Sequence, residues 1–117
     1  MTGTIDRIRD ATIRASNVAE LRMFYNRVGF AEVLARGDEI VVFAAGQSEL
    51  VIYRVADQPK AAVGLGFEVD DAAPIAERLC NAAIPFDGPM QLRPGMVGIR
   101  FTDPNGNVLE FFQPSAR

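Results

Sequence analysis

The feature that most constrains the fold of this chain is an internal repeat with an offset of 54 residues. The offset places Asn17 on Asp71 and Asp10 on Gly64. Each half starts with the alternating pattern of a strand. Polar residues that can cap a helix follow, then a helical pattern, and then three more strand patterns. Such a repeat indicates two copies of one supersecondary unit that bury their apolar faces together. The sequence therefore predicts a single domain over 1–117, built from two βαβββ modules at about 10–55 and 62–113.

The first module has well-marked boundaries. Residues 11–15 alternate between apolar and polar, which predicts a half-buried strand. Asn17, with Glu20 three residues later, predicts a helix N-cap, and Gly29 predicts the end of that helix. Three strands are expected to follow, near residues 30–35, 40–45 and 49–55.

The second module repeats this order. Residues 63–69 alternate, Asp70 and Asp71 are predicted to cap a second helix, and Pro74 falls in the first turn of that helix. The next strands are expected at 84–86, 97–101 and 107–112. The segment 103–106, Asp-Pro-Asn-Gly, favours a tight turn, because proline fixes φ and Asn-Gly tolerates positive φ. It therefore predicts a hairpin between the last two strands.

Alternation assigns the two faces of each predicted sheet. One face packs under a helix, and we call the opposite one the open face. Its predicted members are Asp10, Thr12, Arg14, Glu49, Val51, Tyr53, Gly64, Gly66, Glu68, Val108, Glu110 and Phe112. A face that combines polar groups, aromatic rings and bare glycines is typical of a cleft, although a simply solvated sheet face remains the alternative.

Composition excludes several classes of function. The chain has 49% hydrophobic residues and a net charge of −3, which argues against nucleic-acid binding. It has no apolar run of membrane-spanning length, and residues 1–10 do not resemble a signal peptide. The single cysteine, Cys80, excludes an intrachain disulfide and favours a cytoplasmic location. The chain has no histidine, so a Ser-His-Asp triad is excluded.

Taken in order, several segments resemble the vicinal-oxygen-chelate superfamily, which includes glyoxalase I, bleomycin-resistance proteins and extradiol dioxygenases. The matching segments are Ile-Arg-Ala-Ser-Asn-Val at 13–18, Gly-Phe-Glu-Val-Asp-Asp at 66–71 and Phe-Thr-Asp-Pro-Asn-Gly-Asn-Val-Leu-Glu at 101–110. The resemblance covers about residues 10–114. It implies an α+β fold in which two βαβββ modules form an eight-stranded U-shaped cup with helices on the outer face. It also implies a homodimer, sometimes with modules exchanged between chains.

The resemblance also locates the positions at which many members of the superfamily hold a metal. Carried over to this sequence, they are Asp10, its repeat partner Gly64, and Glu110. Gly64 has no side chain, and histidine, the usual ligand, is absent. Glu49 or Glu68 could supply a further oxygen for an all-oxygen site. We nevertheless expect neither a metal nor a cofactor.

The resulting expectation is a metal-independent protein of the bleomycin-resistance type that sequesters a small molecule in the cup. The acidic net charge modestly favours a cationic ligand, such as an antibiotic. The alternative is a glyoxalase- or dioxygenase-like enzyme that uses Glu110, with or without a divalent metal. No catalytic residue is assigned. The predicted ligand-binding residues are Asp10, Arg14, Tyr53, Arg100, Glu110 and Phe112.

Overall fold

The chain folds into eight strands and two helices, as given by a computed structural model that describes residues 3–114. The predicted domain 1–117 extends beyond the described residues at both ends. In chain order the elements are β1 (Asp10–Ala15), α1 (Val18–Val28), β2 (Ala31–Arg36), β3 (Ile40–Ala45), β4 (Ser48–Arg54), β5 (Gly64–Glu68), α2 (Ala73–Asn81), β6 (Asp87–Arg93), β7 (Met96–Thr102) and β8 (Val108–Pro114).

The strands form two four-stranded sheets, with the orders β1-β4-β3-β2 and β5-β8-β7-β6. β1 pairs with β4 in parallel, and β5 pairs with β8 in parallel, whereas all other strand pairs are antiparallel. The identical topology confirms the α+β fold of two βαβββ modules predicted from the repeat. It also leaves β1 and β5, the equivalent strands of the two modules, each at the edge of its sheet.

Helix α1 has the predicted ends. The Asn17 side chain accepts a hydrogen bond from the Glu20 amide at 3.1 Å, which satisfies one free N–H of the first turn. Gly29 closes the helix in the left-handed region, with φ 112°, where glycine has no steric penalty. The buried stripe of this helix consists of Val18, Leu21, Tyr25 and Val28.

Two boundaries in the second module differ from the prediction. The N-cap of helix α2 is Ala72, one residue after the predicted Asp71, although the Asp71 side chain accepts the Ala73 amide hydrogen at 3.0 Å. The third strand of this module lies at Asp87–Arg93 and not at 84–86. Proline and glycine are tolerated there because β6 is an edge strand, where a missing N–H costs no ladder hydrogen bond.

The helix faces of the two sheets share one hydrophobic core. Phe30, between α1 and β2, has its ring centroid 6.1 Å from that of Phe43 in the first sheet and 5.2 Å from that of Phe67 in the second. Phe24 of α1 likewise lies 6.2 Å from Phe101. Aromatic pairs at these distances stabilise the folded state beyond the contribution of the apolar area that they bury. The core therefore joins the two modules on the helix side of both sheets.

Alternation predicts the helix faces well, with one exception. Ile13, Leu50, Ile52 and Leu109 are buried as expected. The prediction that Val63 is buried is wrong, because this residue is 42% exposed at the end of a linker just before β5. Among the described residues, neither helix has the length and hydropathy needed to cross a membrane.

Candidate functional site

Arg100 and Glu110 form a hydrogen-bonded ion pair on the open face of the second sheet. They are cross-strand neighbours on β7 and β8, so both side chains leave the same face. Arg100 Nε and Nη2 donate to Glu110 Oε2 at 2.9 and 2.6 Å. Arg93, at the end of β6, donates to Oε1 at 3.4 Å. The Glu110 side chain, only 16% exposed, is thus held between two guanidinium groups.

An aromatic ring lies next to this charge cluster. The guanidinium carbon of Arg93 is 5.3 Å from the Phe112 ring centroid, within cation–π range. A Cβ built on Gly66 would lie 3.1 Å from Phe112 Cε1. A glycine at 66 therefore lets the ring lie over β5. A Cβ on Gly64 would meet nothing within 4 Å, so no side chain covers the β5 backbone at this position.

The open face of the first sheet has a different chemical character. Arg14 and Tyr53 are register partners on β1 and β4, and Tyr53 is half-buried. The row beside them pairs Val51 with Val42, which is 8% exposed, and Leu34, which is 47% exposed. This row is therefore apolar, whereas the open face of the second sheet carries the arginines and Glu110.

Asp10 lies apart from both groups, on the wall of an open cavity of about 740 Å³ between the two modules. Its register partner Glu49 and the β5 residue Glu68 also line this cavity, and apolar helix-face side chains such as Phe67 and Leu65 complete it. The cavity follows the free edges of β1 and β5. An apolar seam beside two unpaired strand edges is the kind of surface that another protein chain covers.

The structure thus distributes the six predicted ligand-binding residues over three places. Arg100, Glu110 and Phe112 come together on the second sheet, Arg14 and Tyr53 on the first, and Asp10 at the cavity. Through residues 3–114, the ring contacts between the two modules lie on the helix side, and no hydrogen bond, ion pair or ring contact joins the side chains of the two open faces. Within one chain the two open faces are therefore separate surfaces.

The donor set does not fit the metal that the superfamily often holds. Asp10 and Glu110 lie on different sheets, and both Glu110 oxygens already accept from arginines. The remaining position, Gly64, offers no side chain. Over the part of the chain that the structure describes, no three residues among His, Cys, Asp and Glu gather as a metal-binding set.

Sequence reasoning read Asp103 only as a turn residue, but it is a buried junction between the modules. At 5% exposure its carboxylate accepts four hydrogen bonds: from the Asn105 and Asn107 amides, from Asn107 Nδ2, and from the Tyr25 hydroxyl at 2.8 Å. Burial, and then the Asp103 charge, raise the pKa of Tyr25 far above its usual value. This network fixes α1 of one module on the β7–β8 turn of the other.

Arg93 is the other residue that the sequence analysis missed. It lies between the strands predicted at 84–86 and 97–101, and the pairing of β6 with β7 shifts register between Gln91 and Arg93. Such an irregularity breaks the alternation from which a face is predicted. The local signal that remained was a lone basic residue next to a Pro-Gly turn, which does not predict a position on the open face.

Comparisons with known proteins establish the fold. No protein-family model matches the sequence. No curated protein matches it either. Among solved structures, lactoylglutathione lyase from Agrobacterium tumefaciens superposes with a TM-score of 0.78 at 21% identity, covering 93% of this chain and 94% of the other.

Two further structures agree with this one. A bleomycin resistance determinant encoded on the transposon Tn5 has a TM-score of 0.78 at 16% identity, covering 95% of this chain and all of the other (100%). A glyoxalase/bleomycin resistance protein/dioxygenase from Nocardioides has a TM-score of 0.75 at 19% identity, with coverages of 97% and 87%. The chain therefore has the vicinal-oxygen-chelate fold predicted from its motifs.

Proposed function

From the vicinal-oxygen-chelate fold and the arginine–glutamate cluster on an open sheet face, we propose that this protein binds and sequesters a small molecule without a metal. The observation that carries the proposal is Glu110, held at 2.6 Å by Arg100 next to the half-buried Phe112 ring and the strand at Gly64, where no side chain covers the backbone. Preset polar groups beside an aromatic surface are what small-molecule sites use for orientation and affinity. A toxic compound such as an antibiotic is a ligand of the kind that such a protein would sequester.

A homodimer would complete the site. Placing β1 of one copy beside β5 of another would continue the first sheet of one copy into the second sheet of the other. Arg14 and Tyr53 of one copy would then flank Arg100 and Glu110 of the other. Exposed apolar residues lie next to both free edges: Ile8, 80% exposed, precedes β1, and Val63, 42% exposed, precedes β5. Burial of these residues and of the apolar cavity would stabilise the pairing.

The mass of the assembly tests the dimer. Light scattering on the purified chain is expected to give twice the monomer mass of 12.7 kDa. The double variant Ile8→Glu, Val63→Glu is expected to shift the mass to that of one chain. Met23→Glu, at a 60% exposed position on α1, is the matched control and should remain a dimer. A wild-type monomer would contradict the proposed assembly.

Ligand binding itself is tested by titrating small aromatic compounds into isotope-labelled protein, with and without EDTA. We expect amide shifts centred on Gly66, Arg100, Glu110 and Phe112 that are unchanged by the chelator. Metal analysis of the purified protein should find no stoichiometric divalent ion. Binding that EDTA abolishes, or shifts confined to other surfaces, would refute the proposal.

The enzymatic alternative has less support from this geometry. A glutamate that acts as a general base needs an oxygen free to accept the substrate proton. Guanidinium N–H groups use three of the four acceptor positions of the Glu110 carboxylate, two on Oε2 and one on Oε1, so the residue fits mainly a role in positioning the arginines. For location, we propose the cytoplasm, since an exposed single thiol at Cys80 suits a reducing compartment.

A further inference from the structure

The proposed site has more hydrogen-bond donors than acceptors. A guanidinium group carries five N–H donors and no acceptor. Arg100 uses Nε and Nη2 on one oxygen of Glu110, and Arg93 uses Nη2 on the other. Within residues 3–114, the other N–H groups of these two arginines have no protein acceptor. A ligand that reaches this surface therefore meets several guanidinium N–H groups, whereas the carboxylate between them keeps one open acceptor position, on Oε1.

We infer that the ligand of this site carries an anionic oxygen group, a carboxylate or a phosphate, that binds Arg100 and Arg93 while an apolar part packs on Phe112. This inference rests on the proposed function, because it names the ligand class for the same surface. Guanidinium groups match the planar geometry of such anions and form charge-assisted hydrogen bonds with them. Arg100 is 43% and Arg93 57% exposed in their side chains, so both are reachable.

This local chemistry points away from the cationic ligand that the net charge of −3 favours. A cation would approach two guanidinium groups, and at the centre Glu110 offers it one open acceptor position, on Oε1. Two further carboxylates lie on the face. Asp87 is the register partner of Arg100, and Glu68 is the register partner of Phe112. Both are exposed and, in the described chain, neither is hydrogen-bonded to these arginines, so they weaken the attraction for an anion without cancelling the contacts.

The neighbouring surfaces determine the rest of the ligand. Beside the arginines, the half-buried Phe112 ring lies close to the backbone at Gly66 and supplies the apolar contact surface. In the proposed dimer, the apolar row of Val51 and Leu34 and the ring of Tyr53 would face this patch from the other copy. A molecule with one anionic end and an aromatic or aliphatic body matches both halves of the site.

Three probes with the same aromatic body separate the head-group charges: 2-naphthoate, 2-naphthalenemethanol and 2-naphthylmethylammonium. Each is titrated into the wild-type chain at about 0.15 M salt, where distant charges are screened beyond roughly 8 Å. We expect the anion to bind about tenfold more tightly than the cation, with the neutral alcohol between them. The readout is the ratio of the two dissociation constants together with the amide shifts at Arg100 and Phe112.

Variants test the cause of this preference. Arg100→Gln should bring the ratio close to one, whereas Glu110→Gln should increase it because a competing charge is removed. Arg54→Gln is the matched control, since Arg54 forms an exposed ion pair with Glu39 at 3.0 Å away from this cluster and should leave the ratio unchanged. Thermal melting of each variant confirms that it is folded, and the ratio remains informative even where absolute affinity drops.

The outcomes distinguish this inference from the proposed function. Equal or tighter binding of the cation on the open face would overturn the anionic ligand class and leave the binding function standing. No binding of any probe at millimolar concentration would remove support for the binding function and for the inference with it. An anion preference that persists in Arg100→Gln would show that other groups recognise the ligand, and would overturn the assignment to these arginines.

Discussion

Removing the Tyr25 hydroxyl tests how the two modules are joined. In Tyr25→Phe, one oxygen of the buried Asp103 carboxylate loses a 2.8 Å donor and keeps only Asn107 Nδ2. Losing a hydrogen bond to a buried charged group costs about 1.5–3 kcal/mol. The entropy of unfolding for a chain of this size is roughly 0.25 kcal/mol per kelvin, so the loss corresponds to a Tm decrease of about 6–12 °C.

Alkaline pH gives the same variant a second signature. The pKa of Tyr25 is raised in the folded state, first by burial and then by Asp103, whereas an unfolded tyrosine titrates near pH ~10. Below that pH both states keep the proton, and the stabilising contribution is fully present. Above it only the unfolded state releases the proton, so stability falls by up to about 1.4 kcal/mol per pH unit. Tyr25→Phe removes this contribution.

Chemical denaturation from about pH 8 to 11 measures both effects. Tyr53→Phe is the matched control, because Tyr53 is the only other tyrosine and its hydroxyl makes no protein hydrogen bond in the described chain. We expect the control to stay within about 0.5 kcal/mol of the wild type and to keep the alkaline slope. If Tyr25→Phe is as stable as the control, or loses stability above pH ~10 just as steeply as the wild type, the reasoning about this junction is wrong.

Two other predictions follow from contacts of single residues. Gly66→Ala places a Cβ 3.1 Å from the Phe112 ring, so it should displace the ring and weaken ligand binding about fivefold. Gly64→Ala is the control, because its Cβ would lie in open space and should leave the affinity unchanged. Calorimetry on both variants measures the two affinities. Hydrogen bonds from Arg22 lower the pKa of Glu32, so their pairing stabilises the fold at neutral pH and the stabilisation fades as acid protonates the carboxyl. NMR titration should place the pKa of Glu32 below about 4.3, the usual glutamate value, and Arg22→Gln should restore it; an unshifted wild-type value would contradict the pairing.

The sequence predicts the topology because repeats and caps are local signals. Asn17 and Gly29 lie directly before and after α1 and so mark its two ends, and alternation places Leu50 and Leu109 in the core. The duplication then supplies what local patterns lack, because it requires the two sheets to have the same strand order. Strand β6 was not predicted because its Gly88 and Pro89 are acceptable only in an edge strand, and whether a strand lies at an edge is known only from the sheet.

The site could be predicted only in part, for a related reason. Arg100 and Glu110 share a hairpin, so their register follows from the turn, and the structure shows them bonded. Arg93 reaches Glu110 only through an irregular pairing, and Tyr25 meets Asp103 across 78 residues of chain. Neither contact has a local pattern. In the proposed dimer, the placement of Arg14 and Tyr53 relative to Glu110 would depend on a second copy, which no pattern within one chain determines.

A crystal structure of the protein with bound 2-naphthoate tests the central claim most directly. We predict that the carboxylate lies within hydrogen-bond distance of the Arg100 guanidinium on the open face of the second sheet, with the naphthyl ring against Phe112. A naphthoate found instead in the cavity between the modules, touching neither Arg93 nor Arg100, would contradict the account.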